Sequence, residues 1–255
     1  MNLRIDSPEA NLRATPNTSQ APLARLPVGH LVVALAEPQG NWRQCRTQID
    51  DISLDGFIHV SLLRPEIKPE VDRLVELAGA EYKRFLFGTR HETHPTSQER
   101  IEKYWLSFQS SAEPVSVAWS AAFISFIVKH ADLGKSFKFS GRHTDYLSDS
   151  KEAKLRNDSS RAYWAVRLNE RKLEVGDLIG AYRTGDDCGS VVRTYDDLPG
   201  DFCAHCDLVV AIRGRTAITI GGNVSNTVKT KEVSLTAAGH VTAGGKRIAI
   251  MARNF

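Results

Sequence analysis

Hydrophobic residues recur at helical spacing in three segments of the chain. Residues 70–77 place apolar side chains one turn apart, and in residues 98–108 aromatic side chains line one face. Residues 117–130 are apolar almost throughout, which predicts a buried helix that ends near Gly134. The pattern therefore predicts three helices, of which the last is enclosed on all sides.

The second half of the chain changes to the patterning of strands. Four short segments are apolar or alternate between apolar and polar, and Gly214 supplies a turn between the second and the third. These segments cover residues 177–183, 207–213, 216–220 and 247–252. Helices followed by a mostly antiparallel sheet predict an α+β fold.

The chain before the first predicted helix is patterned differently. Residues 1–24 are rich in Pro, Asn, Ser and Thr without apolar periodicity, which predicts a flexible leader. Residues 25–66 contain short apolar or alternating runs between turn residues, which predict a small antiparallel β-barrel. With Pro65 and Pro69 at the boundary, the expected domains are residues 1–24, 25–66 and 67–255.

Composition narrows the class of protein but gives no function. The 255 residues are 42% hydrophobic and 25% charged, which is typical of a globular protein and excludes disorder of the whole chain. The 33 basic residues against 30 acidic ones form no basic run, so no nucleic-acid partner is expected. The longest apolar stretch is too short for a membrane span, and the N-terminal residues lack the apolar core of a secretory signal.

Three short motifs carry residues that could perform hydrolysis. Ser120 lies where the third helix begins, so backbone N–H groups and the helix dipole could stabilise an oxyanion beside it. His205 opens an apolar strand and could act as a general base. Asn223, after two glycines, could hold this imidazole in one tautomer, and Asp207 could do so from the same strand face.

The order of these motifs resembles that of the papain-like amidohydrolases of bacterial cell walls, which include the CHAP and NlpC-type groups. In that group a Trp-Cys-Ala motif supplies a thiol, a His-Val-Gly motif the base and a Glu-Gly-Asn motif the third member. From residue 71 to the end, the chain also resembles the bacterial family called domain of unknown function 2272, through residues 119–125, 139–146, 205–210 and 221–224. The resemblance implies a papain-like α+β domain, with helices packed on an antiparallel sheet, that cleaves amide bonds in the peptides of peptidoglycan.

The resemblance also implies roles for individual residues. Ser120 would attack the carbonyl, His205 would carry the proton, and Asn223 or Asp207 would orient the imidazole. His143 would face the substrate or supply a second imidazole near Ser120, and a loop histidine without function is the alternative. The residues expected to contact the substrate are Trp119, His143 and Tyr146.

Ser120 departs from the papain-like pattern, which has a cysteine at this position. A hydroxyl is far less acidic than a thiol, so it needs a well-placed base during attack. A plain helix-capping serine is therefore an open alternative. A protein that keeps the papain-like frame and binds the cell wall without catalysis is the corresponding alternative function.

The four cysteines, Cys45, Cys188, Cys203 and Cys206, are too few and too unevenly spread for a disulfide scaffold. Cys203 lies two residues before His205, so on a strand the two side chains would face the same side. Cys203 is therefore a second, weaker candidate nucleophile. Together with His205, the last three cysteines could ligate zinc, although a second spaced pair is missing. The expectation is a site without metal or cofactor, and a zinc-stabilised binding domain is the alternative.

Residues 25–66 resemble the bacterial Src-homology-3-like family. The resemblance rests on Pro27-Val28-Gly29, on Asn41-Trp42, and on Gly56-Phe57-Ile58 running to Leu62-Leu63. It implies a module that docks the enzyme on wall peptides, and a barrel that only packs on its neighbour is the alternative.

The expected route is synthesis in the cytoplasm and signal-independent export to the periplasm or wall, as an antibacterial effector or lytic enzyme. Its expected partners are then peptidoglycan, a secretion machinery and an immunity protein.

Overall fold

A computed structural model describes residues 1–185 and 187–255. In these residues the chain forms a mixed α+β fold of antiparallel sheets and four α-helices. The helices are α1 (Pro69–Arg84), α2 (Pro95–Leu106), α3 (Ser120–Ala131) and α4 (His143–Leu155). No helix in the part of the chain that the structure describes has the length and apolarity to cross a membrane.

Three of the four helices confirm the sequence pattern, and α3 is buried along almost its whole length, as predicted. The fourth helix, α4, is absent from the prediction. Its sequence mixes polar and apolar residues without a continuous stripe, and only scattered positions such as Tyr146, Leu147 and Ala153 are buried. Tertiary packing, not periodicity, therefore determines this helix.

The central sheet has six antiparallel strands in the order β12-β11-β10-β9-β13-β8. The strands are β8 (Tyr163–Val166), β9 (Leu178–Tyr182), β10 (Ala204–Arg213), β11 (Thr216–Gly221), β12 (Lys229–Ser234) and β13 (Arg247–Arg253). Because successive strand residues face opposite sides, Leu208 and Val210 pack with the helices, while Val209 belongs to a second apolar cluster. The strand predictions for this region are confirmed.

The N-terminal strands contradict the predicted flexible leader and, as described below, the predicted closed barrel. Residues 1–24 are not a flexible leader, since they contain β1 (Asn2–Ile5), β2 (Glu9–Leu12) and the start of β3 (Ala24–Pro27). The alternating apolar residues Leu3 and Ile5 are too few to stand out as a period, yet both are buried. The remaining strands are β4 (Leu31–Ala34), β5 (Trp42–Ile49), β6 (Ile52–His59) and β7 (Leu63–Pro65).

The expected small barrel is not closed in the described residues. Five strands form a sheet in the order β6-β5-β4-β1-β7, and β2 pairs with β3 in a two-stranded sheet. An isolated bridge, between Arg13 after β2 and Phe57 on β6, joins the two sheets. This N-terminal unit packs against the helical layer: Val28 lies in the main core, and Arg4 forms a 2.9 Å ion pair with Glu76 on α1. The contact fits the alternative in which the unit packs on its neighbour.

Asp177, a fully buried carboxyl just before β9, gives the fold a pH-dependent contribution. It accepts backbone hydrogen bonds from Glu174 at 2.8 Å and Arg253 at 2.9 Å. Burial raises its pKa to about 6, although Arg171 and the two amides oppose this. The pKa of Asp177 is higher in the folded protein than in the unfolded chain, where it is near 4, so the carboxyl contributes stability at low pH, where it is protonated. That contribution is lost as the pH rises through the pKa of the folded protein.

We therefore expect an Asp177→Asn variant, which cannot ionise, to lack this dependence. The difference in free energy of unfolding between wild type and variant should fall by about 2 kcal/mol between about pH 4 and pH 7. Denaturant unfolding at both pH values measures this difference directly. A difference that stays constant with pH would contradict the prediction.

Candidate functional site

Ser120 is the first residue of α3 and lies at the bottom of a cleft of about 630 Å³. Only 3% of the residue is exposed. Trp119, not Ser120, occupies the N-cap position, and in the described residues no side chain caps this helix. The capping alternative for Ser120 is therefore wrong. The first backbone N–H groups of a helix have no partner inside it, and Ser120 is the residue with which α3 begins.

The Ser120 hydroxyl forms a hydrogen bond with an imidazole, over 2.7 Å from Oγ to Nε2 of His143. His143 is the first residue of α4 and is 5% exposed. Its other nitrogen, Nδ1, contacts the hydroxyl of Tyr146, one turn along the same helix. The chain of contacts runs from Ser120 through His143 to Tyr146.

His143 is held in its neutral form. Burial lowers its pKa well below the usual value, and His205, Arg183 and Lys231 act in the same direction, against Asp207. A neutral imidazole has one nitrogen free to accept a proton. When Nδ1 carries the hydrogen and donates it to Tyr146, Nε2 is free to accept the proton of Ser120.

His205 and Asp207 form a second unit beside this one. Nε2 of His205 lies 2.8 Å from Oδ1 of Asp207, and Oδ2 of Asp207 lies 2.7 Å from Nζ of Lys231 on β12. Burial raises the pKa of Asp207, but His205 and Lys231 outweigh it and lower this pKa below its usual value. The carboxyl is therefore ionised. The rings of His205 and His143 are 5.2 Å apart.

A glycine makes room for this second unit. A Cβ atom on Gly221, the last residue of β11, would lie 1.9 Å from Oδ1 of Asp207 and 3.1 Å from Nε2 of His205. Such an approach is too close for any side chain. Gly221 is thus needed for the close packing around Asp207 and His205, whereas a Cβ atom on Gly222 would collide with Phe123 on α3.

The structure brings Ser120, His143, Tyr146, His205 and Asp207 together, but not in the predicted pairing. The hydrogen bond expected between Ser120 and His205 is made by His143 instead, which corresponds to the second imidazole that the sequence suggested. The physical reason is α4, an unpredicted helix that starts at His143 and presents the ring to Ser120. The roles of these residues in catalysis remain predictions.

Two other predicted residues lie elsewhere than expected. Trp119 is fully buried between Phe85 and Tyr104 and donates its indole hydrogen to Glu92 over 2.8 Å, so it supports α3 and does not contact substrate. Asn223 lies in the turn after β11 with a φ of 54°. The contact to His205 that was expected of it is made by Asp207.

Tyr146 is likewise fully buried, so its hydroxyl serves His143 rather than a substrate. Neither Lys231 nor the role of Tyr146 carried a signal in the sequence. Both depend on which elements become neighbours in space.

The cysteines correct the remaining alternatives. Cys188 and Cys203 form a disulfide, whereas Cys206 and Cys45 are free and buried. Cys203 therefore has no thiol with which to attack, and the proposed zinc ligands are not available as a set. Throughout residues 1–185 and 187–255, no group of three or more His, Cys, Asp or Glu side chains is placed to hold a metal ion.

Charged side chains line the cleft above Ser120. Three of them are arginines, on the loop before α4, at the end of β9 and in the loop that the disulfide closes: Arg142, Arg183 and Arg193. The acidic residues of the lining, within the part of the chain that the structure describes, are Asp187 and Asp201. No sequence pattern marks these residues, since each is an isolated charge in a polar segment.

Comparison with known proteins identifies a family for most of the chain. The family model described as "Uncharacterized protein conserved in bacteria (DUF2272)" matches residues 80–254. No curated protein matches the chain. Among solved structures, NlpC2 from Trichomonas vaginalis is 9% identical with a TM-score of 0.36, over 99% of this chain and 73% of that one. NlpC1 from the same organism is 11% identical with a TM-score of 0.31, over 99% and 69%.

Proposed function

Since the chain belongs to the bacterial DUF2272 family, whose description names no activity, we propose from its site that it is a papain-like hydrolase of amide bonds in the peptides of peptidoglycan, with Ser120 as the nucleophile. The observation that carries the proposal is the 2.7 Å contact between Ser120 Oγ and the buried, neutral ring of His143. A serine needs such a base because its hydroxyl does not ionise unaided. This contact provides the base that a serine needs at a position where the papain-like pattern has a cysteine.

The reaction follows from the geometry. Nε2 of His143 takes the hydroxyl proton as Ser120 Oγ forms a bond to the carbonyl carbon of the scissile amide. The oxyanion that develops lies at the N-terminus of α3, where free N–H groups and the helix dipole stabilise it. The protonated His143 then gives its proton to the leaving nitrogen, the C–N bond breaks, and an acyl-serine remains.

Water completes the cycle. His143 accepts a proton from the attacking water, the ester bond to Ser120 breaks, and the serine regains its hydrogen. The transient positive charge on His143 is stabilised by the ionised Asp207 nearby. In this assignment His143 is the base, Tyr146 orients it, and His205 with Asp207 provides the electrostatic environment.

The proposed place of action is the periplasm or cell wall, reached by signal-independent export. The Cys188–Cys203 disulfide supports this proposal, because disulfides persist in oxidising compartments and are rare in the cytosol. Docking on wall peptides through residues 25–66, and partners such as a secretion machinery or an immunity protein, are proposals that follow from the same function.

Digestion of purified sacculi tests the proposal. Wild-type protein should release soluble fragments that mass spectrometry identifies as products of amide hydrolysis, each pair together heavier than its parent by one water. A His143→Ala variant should release almost none. If the folded wild type releases nothing, the enzymatic assignment is wrong and the wall-binding alternative is favoured.

A further inference from the structure

The floor and the walls of the cleft differ in chemistry. The floor is formed by Ser120 and His143, which are buried and carry no net charge. Among the residues that the structure describes, the walls carry the arginines Arg142, Arg183 and Arg193 and the aspartates Asp187 and Asp201. Arginine side chains beside an uncharged reaction centre are suited to an anionic group on the substrate.

Two of the arginines form ion pairs that are at least partly exposed to water. Arg142 pairs with Asp201, whose side chain is 83% exposed. Arg193 lies 3.6 Å from Asp197 and stacks its guanidinium 5.5 Å above the ring of Phe202, another residue of the cleft wall. Exposed ion pairs contribute little because water and salt screen them, so a ligand can replace either partner at low cost.

Arg183 lines the same cleft as Ser120 and His143. It follows β9, its side chain is exposed at the cleft, and its charge is among those that disfavour protonation of His143. The guanidinium group is planar and binds a carboxylate through two parallel hydrogen bonds. An anion bound there would lie near the scissile bond.

We propose that Arg183 and Arg193 bind a free carboxylate of the substrate, so that the enzyme selects acidic peptides over neutral ones. This specificity rests on the proposed function, which it refines by naming the substrate class. It has a consequence for catalysis: a carboxylate on Arg183 offsets the positive charge that opposes protonation of His143. Binding of the correct substrate would thereby favour proton transfer to His143.

Binding to an inactive protein tests the specificity apart from turnover. In the Ser120→Ala background, calorimetry would compare a stem tetrapeptide whose amino groups are acetylated with the same acetylated peptide after its carboxyl groups are converted to methylamides, which leaves it without charge. We expect the acidic peptide to bind at least about tenfold more tightly than its neutral twin. Adding Arg183→Gln or Arg193→Gln should remove most of that difference and leave binding of the neutral twin unchanged.

Arg156→Gln is the matched control. Arg156 follows α4, is 58% exposed and forms an exposed ion pair with Glu152, as Arg142 does with Asp201, but it lies outside the cleft. Its replacement should leave the preference for the acidic peptide intact. Equal binding of both peptides, or an equal loss in all three arginine variants, would overturn the inference. Sacculus digestion by the wild type reports separately on the proposed function.

Discussion

Replacement of Ser120 by alanine is expected to lower the rate of amide hydrolysis by a factor of about 10³ or more. The substitution removes the only atom that forms the acyl intermediate, while the base and the N-terminus of α3 stay in place. Because Ser120 is a small residue at the bottom of a cleft, its replacement leaves a void of one oxygen atom. The loss should therefore appear in kcat with little change in stability.

The test is sacculus digestion by the Ser120→Ala variant, with equal thermal unfolding confirmed beforehand. Ser159 is exposed on a loop and does not line the cleft, so Ser159→Ala is the matched serine control and should digest sacculi normally. Ser120→Cys restores a nucleophile at the same position and should recover measurable hydrolysis. Full activity of Ser120→Ala would remove the serine from the mechanism and return attention to another nucleophile.

The largest effect on stability is expected at Trp119. Its ring is fully buried, stacks at 5.7 Å on Phe85 and lies 5.9 Å from Tyr104. Trp119→Ala removes these contacts and leaves a cavity beside the start of α3, so the free energy of unfolding should fall by about 3–5 kcal/mol. The indole hydrogen bond to Glu92 is lost as well.

Denaturant unfolding of three variants checks this prediction. Trp119→Phe keeps an aromatic ring but not the donor to Glu92, and should cost less than Trp119→Ala. Trp42→Ala, at a half-buried tryptophan of the N-terminal sheet, serves as the matched control with a smaller expected loss. Equal losses for Trp119→Ala and Trp42→Ala would show that burial of Trp119 does not dominate.

The sequence predicted best where one periodic pattern ran long enough to be distinct. The apolar run of α3 identified both the buried helix and Ser120 at its start, and Gly214 separated β10 from β11 correctly. These features depend on local chemistry alone. For the same reason His205 and Asp207 could be placed on one face of a strand, where the structure has them in contact.

The missed features depend on packing between distant segments. No periodic stripe marks α4, so His143 was expected in a loop and its contact with Ser120 ranked second to that of His205. The strands of residues 1–24 are only four residues long, and their burial is decided by β4, β7 and β3. Lys231 meets Asp207 only because β12 lies beside β11, next to β10.

The disulfide bears on how the protein must be handled. Cys188 and Cys203 both line the cleft and tie together the ends of a loop that includes Arg193 and Phe202. A sample kept in a thiol reductant loses this tie and has a looser wall above Ser120. Inactivity measured in such a buffer would therefore not contradict the proposed hydrolase activity. Assays should use protein that has been purified and stored without a thiol reductant.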